Sequence, residues 1–237
     1  MQESPQTPVV STSQTTEQNM RVEDMASLQP GDILRTSWNL LKENSGIVFK
    51  MFAALILLNI AGNVAVRIAT EMSGLLAGVV QLALIVLQLL LSIGTMHIVI
   101  LIAAGKPADL SLLWKFTDRI VAYVFASIMY ALVVSVGLLL LIVPGIIWAT
   151  KFGMAPMIIA WKKIGADEAM RLSAKITDGY KWQLFVLYMV FLVMNLLAAV
   201  TVVGLLLTIP LSYLAMGVTF NRLSDGVPEL QNPDQVA

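Results

Sequence analysis

The chain has 237 residues, of which 58% are hydrophobic and only 13% are charged, a balance outside the range of ordinary soluble domains. Its 15 basic and 15 acidic residues cancel, so there is no basic excess for binding nucleic acid. Cysteine is absent and there is one histidine, which excludes disulfides and thiolate chemistry and leaves few ligands for a zinc site. We therefore expect no cofactor, no metal site and no nucleic-acid partner.

The first residues differ in composition from the rest of the chain. Residues 1–30 are rich in Ser, Thr, Gln and Pro and contain no apolar segment, which predicts a disordered tail without a cleavable signal peptide. Apolar side chains at helical spacing then predict an amphipathic helix at 32–44, and a second one at 166–178. We expect both helices to lie along the membrane surface or to cover the cytoplasmic end of a helical bundle.

Six apolar stretches predict transmembrane helices, because crossing the hydrocarbon core takes about 20 helical residues. They lie at 47–68, 75–104, 120–143, 145–161, 182–203 and 204–221. Pro144 and Gly145 are expected to separate the third stretch from the fourth, and a tight connection near Gly204 to separate the fifth from the sixth. The sequence thus predicts an all-α polytopic membrane domain with six transmembrane helices over 31–223, followed by a cytoplasmic tail at 224–237.

The distribution of Lys and Arg predicts the orientation of these stretches. Thirteen basic residues lie on the side of the predicted membrane that carries both termini, whereas Arg67 is the one basic residue in the hairpins of the other side. Short loops that carry positive charge stay in the cytoplasm, so both termini are expected there. Four of the basic residues are predicted to form a cytoplasmic surface: Lys162, Lys163, Arg171 and Lys175.

Lys151 is the sharpest candidate for a functional contact. It lies inside the stretch 145–161, and no acidic residue lies well inside any of the six stretches. An ammonium group in hydrocarbon is costly unless it reaches water or finds a partner. Two interpretations stay open: Lys151 binds something anionic such as a lipid phosphate, or it has a structural role. Pro156 cannot donate to the carbonyl of Phe152, which leaves one acceptor free nearby.

Polar residues recur at helical spacing within the first two stretches. The candidates for a polar lining or for interhelical contacts are Asn59, Asn63, Arg67, Gln81, Gln88 and His97. Such stripes either line a hydrophilic path or form hydrogen bonds between helices, and packing is the commoner use. A lone histidine without nearby carboxylates favours a neutral hydrogen-bonding role over a proton relay.

The segment around 144–179 resembles a group of prokaryotic six-span membrane proteins. The group includes the YciC-like proteins and the membrane domain attached to some glycerophosphodiester phosphodiesterases. The matching residues are Pro144, Gly145, Lys151, Met154, Ala155, Pro156, Glu168, Ala169, Ser173, Gly179, Ile209, Pro210, Tyr213 and Trp38. The resemblance implies the fold and a prokaryotic cytoplasmic (inner) membrane. It implies no phosphodiesterase activity, since that activity belongs to a separate soluble domain in those proteins.

Three functions are weighed from these features. The first is a non-enzymatic membrane organiser that binds lipids or a membrane or cytoplasmic protein partner, since basic surfaces attract anionic headgroups. The alternative is a transporter or channel for a small, anionic solute, which Lys151 and the polar stripes motivate. An enzyme acting on lipid is not expected, because the sequence offers no Ser–His–Asp set and no paired carboxylates at workable positions. The oligomeric state stays open.

Overall fold

The structure, a computed structural model, describes residues 28–140, 142–225 and 227–231. Residues 1–27, which hold most of the predicted N-terminal tail, and residues 232–237, which hold part of the predicted C-terminal tail, lie outside this part of the chain. All regular structure in the described residues is helical. The helices are α1 (Pro30–Glu43), α2 (Ser45–Met72), α3 (Gly74–Ala103), α4 (Ile120–Leu140), α5 (Ile142–Phe152), α6 (Ala155–Trp161), α7 (Ala166–Ile176), α8 (Lys181–Ala198), α9 (Val202–Ser224) and α10 (Pro228–Gln231). Two 3-10 turns, Leu110–Trp114 and Thr117–Arg119, lie between α3 and α4.

Five segments are long and apolar enough to cross a membrane, counted over the described residues. They are Ser45–Met72, Gly74–Ala103, Leu110–Gly137, Lys181–Ala198 and Val203–Ser224. The prediction of an all-helical membrane domain is therefore confirmed. The predicted stretch at 145–161 is a shorter apolar segment and is not one of the five.

The separation predicted at Pro144 and Gly145 is wrong in position. The structure describes α4 to Leu140 and α5 from Ile142, and residue 141 between them lies outside the described residues. Pro144 and Gly145 both belong to α5 rather than to a break. Gly145 instead serves close packing: a Cβ on Gly137 of α4 would lie 2.7 Å from its Cα.

The stretch at 145–161 is two helices rather than one. Helix α5 ends at Phe152 and α6 begins at Ala155. Every residue of α6 except Pro156 is buried, and the helix packs between α3, α4 and α7. Arg119, just before α4, donates to the carbonyl of Ala160 near the end of α6. Helices α5 and α6 together therefore return the chain to the level at which α4 begins.

The connection between the fifth and sixth predicted stretches also differs from expectation. Helix α8 ends at Ala198, five residues before the predicted end, and α9 begins at Val202 rather than at Gly204. Thr201 caps α9, because its hydroxyl accepts from the N–H of Gly204 at 3.1 Å. An N-cap threonine next to an apolar run is a start signal that hydropathy alone does not register.

One end of the bundle joins the two terminal segments to the two polar connections. Ion pairs link Lys163 to Asp118 at 2.7 Å and Lys175 to Glu229 at 2.9 Å. Arg222 of α9 donates to Thr36 of α1 at 3.4 Å. These contacts bring α1, the connection before α4, α7 and α10 to the same end. We call it the polar end.

The buried core lies in the half of the bundle next to the polar end. In α3 the buried residues begin at Leu91 and continue to Ile102, whereas none is buried between Gly74 and Leu91. Helix α2 buries Val48, Met51 and Phe52 near its start. The helices therefore pack tightly at the polar end and present wide exposed faces farther away, where lipid chains surround a membrane protein.

The residues flanking the membrane domain are part of its core where they are described. Leu28, placed in the predicted N-terminal tail, is 3% exposed. Leu230, placed in the predicted C-terminal tail, is 1% exposed, and its carbonyl accepts from the indole N–H of Trp161 at 2.8 Å. Apolar residues at regular spacing in 227–231 cover the polar end, because burying them there removes them from water.

Candidate functional site

Lys151 lies in the last turn of α5, at the break before α6. Its ammonium group is 5.3 Å from the centre of the Phe152 ring. Its backbone carbonyl accepts from Ser173 at 2.9 Å and from Thr177 at 3.1 Å, both in or next to α7. Ser173 also accepts from the N–H of Met154 at 3.2 Å. The carbonyl that α7 contacts is thus that of Lys151, one residue before the Phe152 carbonyl considered from the sequence.

The charge of Lys151 acts on the turn between α7 and α8. A hydrogen bond from Lys181 lowers the pKa of Asp178 in that turn, and the positive charge of Lys151 lowers it further. Lys151 therefore lies near the polar end and close to an acidic group on another segment, not in the middle of a uniform apolar span. Both interpretations of Lys151 stay predictions.

His97 and Arg119 close the other end of α6. The Nδ1 atom of His97 lies 2.8 Å from the carbonyl oxygen of Ala160, so the ring donates from that atom. Arg119 donates to the same oxygen at 2.9 Å and to that of Ile159 at 3.3 Å. The last carbonyls of a helix lack partners within it and carry partial negative charge, so a buried guanidinium is well matched to them.

Aromatic rings pack around this cap. The His97 ring stacks on Trp161 with centroids 5.4 Å apart, and it contacts Phe116 at 4.5 Å. The Arg119 guanidinium carbon lies 4.8 Å from the centre of the Phe116 ring. Arg119, which is 3% exposed, is the residue that sequence reasoning missed. An arginine just before an apolar stretch has the same sequence pattern whether it faces water or caps a helix.

The predicted polar stripe of α2 faces outward. Asn59, Asn63 and Arg67 are all exposed, and so are Gln81 and Gln88 of α3. Asn63 donates to the carbonyl of Asn59 at 2.7 Å. Among the residues that the structure describes, no hydrogen bond joins the two asparagines to the two glutamines. The structure brings Asn59 and Asn63 to one cleft and leaves Gln81 and Gln88 outside it.

This cleft lies between α2 and α9 and opens sideways, so we call it the lateral cleft. Its volume is about 470 Å³. It is lined by Phe52, Leu55, Ile56, Asn59, Ile60, Asn63, Leu205, Leu206, Ile209, Pro210 and Tyr213. Apolar walls with a few polar groups are typical of sites that bind small organic molecules or lipid chains.

The polar groups of the lateral cleft come from three sources. The first is the pair of amides at Asn59 and Asn63. The second is the carbonyl of Leu206, which has no donor four residues on because Pro210 lacks an N–H. The third is Tyr213, whose ring meets Phe52 edge-on with centroids 5.4 Å apart. The cleft can therefore hold an apolar chain and offer it donors and acceptors at a few points.

The predicted basic surface lies at the polar end. Lys163, Arg171 and Lys175 are exposed, and Lys162 is half-buried. Lys175 of α7 donates to Glu229 of α10 at 2.9 Å, and this hydrogen bond lowers the pKa of Glu229. The four residues share one end of the molecule, but two of them are engaged in ion pairs with neighbouring segments.

The fold and these sites define a multi-pass transmembrane protein. The chain is similar to a UPF0259 membrane protein of Pectobacterium carotovorum subsp. carotovorum (strain PC1), with 26% identity over 145 residues. The similar region covers 60% of this chain and 56% of the relative, so the chain spans little more than half the length of the curated relative that it matches. The similarity supports an uncharacterised prokaryotic membrane protein family.

No family model matches the chain, and no solved structure matches it. The resemblance to the YciC-like proteins and to the phosphodiesterase membrane domain stays a prediction.

Proposed function

We propose that the chain crosses a prokaryotic inner membrane six times, with both termini in the cytoplasm. The fourth crossing is made by α5 and α6 together. The bond between Arg119 and the carbonyl of Ala160 supports this, because it sets the end of α6 level with the start of α4. The excess of Lys and Arg at the polar end supports a cytoplasmic location for that end.

The absence of cysteine makes this topology directly testable. Single cysteines at Met72, Lys106, Asp178 and Val200 are exposed to a membrane-impermeant maleimide in intact spheroplasts. We expect labelling from outside at 72 and 200, and labelling at 106 and 178 only after lysis. Labelling of position 178 from outside would refute the crossing by α5 and α6.

We propose further that the protein is a non-enzymatic lipid-binding protein of that membrane. The lateral cleft carries this proposal, since its volume of about 470 Å³ is walled by apolar side chains of two membrane helices and opens toward the surrounding lipid. A lipid acyl chain fits these walls, because contacts with close-packed side chains replace contacts with other chains. Ile209, 39% exposed, lies on the floor of this cleft.

The amides of Asn59 and Asn63 add polar contacts to the apolar wall that α2 gives the lateral cleft. An exposed amide in a membrane helix favours hydrogen bonds to whatever lies against it. Asn63 donates to the carbonyl oxygen of Asn59 at 2.7 Å and lies 3.5 Å from the Oδ1 atom of Asn59, so its amide is engaged within α2 and the Asn59 amide is the donor offered to an occupant. Transport of a small anion stays a prediction of the sequence alone.

The test uses a phospholipid that carries a photoreactive diazirine on its acyl chain. After reconstitution and irradiation, peptide mass spectrometry maps the cross-links. We expect them on the cleft faces of α2 and α9, and we expect Ile209→Trp to suppress them by filling the cleft. The matched control is Leu82→Trp, because Leu82 is 64% exposed on α3 and outside the cleft. Cross-links spread evenly over the exposed helix faces would refute the proposal.

A further inference from the structure

A second concave surface lies at the boundary between the polar end and the membrane helices. It has a volume of about 580 Å³ and lies between the start of α4 and the start of α7. We call it the interfacial groove. Its wall is formed by Val121, Phe125 and Met129. Its charged lining residues are Asp118, Arg119, Lys163 and Asp167, and we call this charged part the rim. One surface thus runs from an apolar wall into charged groups within two turns of helix.

The wall is a continuous face of α4. Val121, Phe125 and Met129 follow one another every four residues, so they lie on the same side of the helix. They are 65%, 60% and 38% exposed. Because α4 belongs to a membrane-crossing segment, hydrocarbon covers this face. An occupant of the groove therefore has an apolar chain that runs along α4.

The rim carries charges of both signs. Lys163 and Asp118 form an ion pair at 2.7 Å, and their side chains are 62% and 44% exposed. The carboxylate of Asp167 folds back toward Gly165, where its Oδ1 atom would lie 2.9 Å from a Cβ. An exposed ion pair rearranges at little cost when a ligand supplies both of its charges. The rim matches a ligand that has one cationic and one anionic group close together.

The first backbone N–H groups of α7 add to the positive charge of Lys163. Helix α7 begins at Ala166 after Gly165, and no side chain caps its first N–H groups. Such groups favour an anion, and here they adjoin Lys163 on the same rim. A phosphate between them would leave Asp118 and Asp167 to accept from an ammonium group. The two carboxylates are balanced by Lys163 and Arg119, so the charged lining has no net charge that would favour a purely anionic headgroup.

We propose that the interfacial groove binds a phospholipid whose headgroup carries both a phosphate and a primary ammonium group, with an acyl chain along α4. This proposal goes beyond the one made for the lateral cleft, which binds an acyl chain and selects no headgroup. It rests on the proposed lipid-binding function only in that the occupant is a membrane lipid.

Competition between lipids of identical acyl composition tests the proposal. The purified full chain receives equal amounts of phosphatidylethanolamine, phosphatidylglycerol and phosphatidylcholine, and native mass spectrometry counts the bound lipids by mass. We expect phosphatidylethanolamine to be retained at least about fivefold over either competitor, which corresponds to about 1 kcal/mol. Phosphatidylglycerol lacks the ammonium group, and the quaternary amine of phosphatidylcholine has no N–H to donate.

Variants assign the preference to the rim. Asp118→Asn combined with Asp167→Asn is expected to abolish the preference for the primary amine while the protein stays folded. Glu229→Gln is the matched control, because Glu229 is an exposed carboxylate of the polar end that pairs with Lys175 away from the groove. Ile209→Trp removes lipid that the lateral cleft binds without regard to headgroup, so the preference is expected to persist in this variant.

The outcomes separate this proposal from the first. Equal retention of the three lipids, a preference for phosphatidylglycerol, or a stoichiometric protein partner in place of lipid would each overturn the headgroup assignment. Cross-links on α2 and α9 would still support the lateral cleft in those cases. A preference for phosphatidylethanolamine that survives the double aspartate variant would also overturn it.

Discussion

Removing the hydroxyl of Ser173 tests how the break between α5 and α6 is stabilised. This hydroxyl accepts from the N–H of Met154 and donates to the carbonyl of Lys151, and both Ser173 and Met154 are fully buried. Ser173→Ala leaves the Met154 N–H without a partner, which costs about 1–3 kcal/mol. Thr177 partly compensates at the carbonyl, because it lies 3.1 Å from the same oxygen.

Ser37→Ala is the matched control for this substitution. Ser37 is also a fully buried helical serine, but its hydroxyl bonds only to the carbonyl of Ile33 in its own helix. The difference in helix propensity between Ser and Ala is the same at both sites, so it cancels in the comparison. We expect Ser37→Ala to change stability by about 0.5 kcal/mol or less.

The free energy of unfolding is measured by SDS titration in mixed micelles, followed by tryptophan fluorescence. Thr177→Val alone is expected to cost less than Ser173→Ala, since Ser173 still donates to Lys151. The double variant is expected to cost about 1 kcal/mol more than the sum of the single variants, because only then does the Lys151 carbonyl lose both side-chain donors. Equal stabilities of Ser173→Ala and Ser37→Ala would refute this account of the break.

Three other predictions concern packing and caps. Arg119→Met is expected to lower the free energy of unfolding by about 1.5–3 kcal/mol in the same titration, because hydrogen bonds from a charged donor are lost. Lys115→Met, at an exposed lysine, is expected to change this free energy little. Equal effects of the two substitutions would contradict the capping role of Arg119. Gly137→Leu is expected to cost about 1–3 kcal/mol because its side chain would meet the backbone of α5, while Gly78→Ala, with nothing within 4 Å of its Cβ, is neutral or stabilising. Trp161→Phe removes the indole N–H that donates to α10. We expect it to speed amide hydrogen exchange in 227–231 and to leave exchange in α8 unchanged. Unchanged exchange in both segments would contradict the docking of α10 through this hydrogen bond.

Hydropathy predicts the long helices well because each of them is apolar over its full length. The predicted stretches 47–68 and 75–104 differ from α2 and α3 by at most four residues at any end. A membrane helix satisfies its backbone groups internally, so its bounds depend mainly on local sequence. Where a long apolar pattern ends at a capped turn, as at Ser73, hydropathy is sufficient to predict the bounds of the helix.

The breaks could not be predicted in the same way, because they depend on residues far along the chain. The end of α5 is held by Ser173 and Thr177, which follow Lys151 by more than 20 positions, and the end of α6 is held by Arg119, about 40 positions earlier. Pro144 favours a break by its residue type, whereas the structure places it within helix α5.

The candidate site was predictable in its residues and not in its geometry. Asn59 and Asn63 stand out because amides are rare within apolar stretches. Their cleft exists only because α9 packs against α2, and the sequence does not fix which helices are neighbours. The interfacial groove depends in the same way on the pairing of Lys163 with Asp118, two residues that hydropathy assigns to different loops.

The contacts at the two ends of α6 become available at different times during synthesis of the chain. A nascent chain that ends near residue 165 already contains Arg119 and His97, which hold the end of α6, but not Ser173 and Thr177, which hold the break before it. The backbone groups at that break find their side-chain partners only after α7 has left the ribosome. The break between α5 and α6 is therefore completed from the later segment of the chain backward, although α5 and α6 are made first.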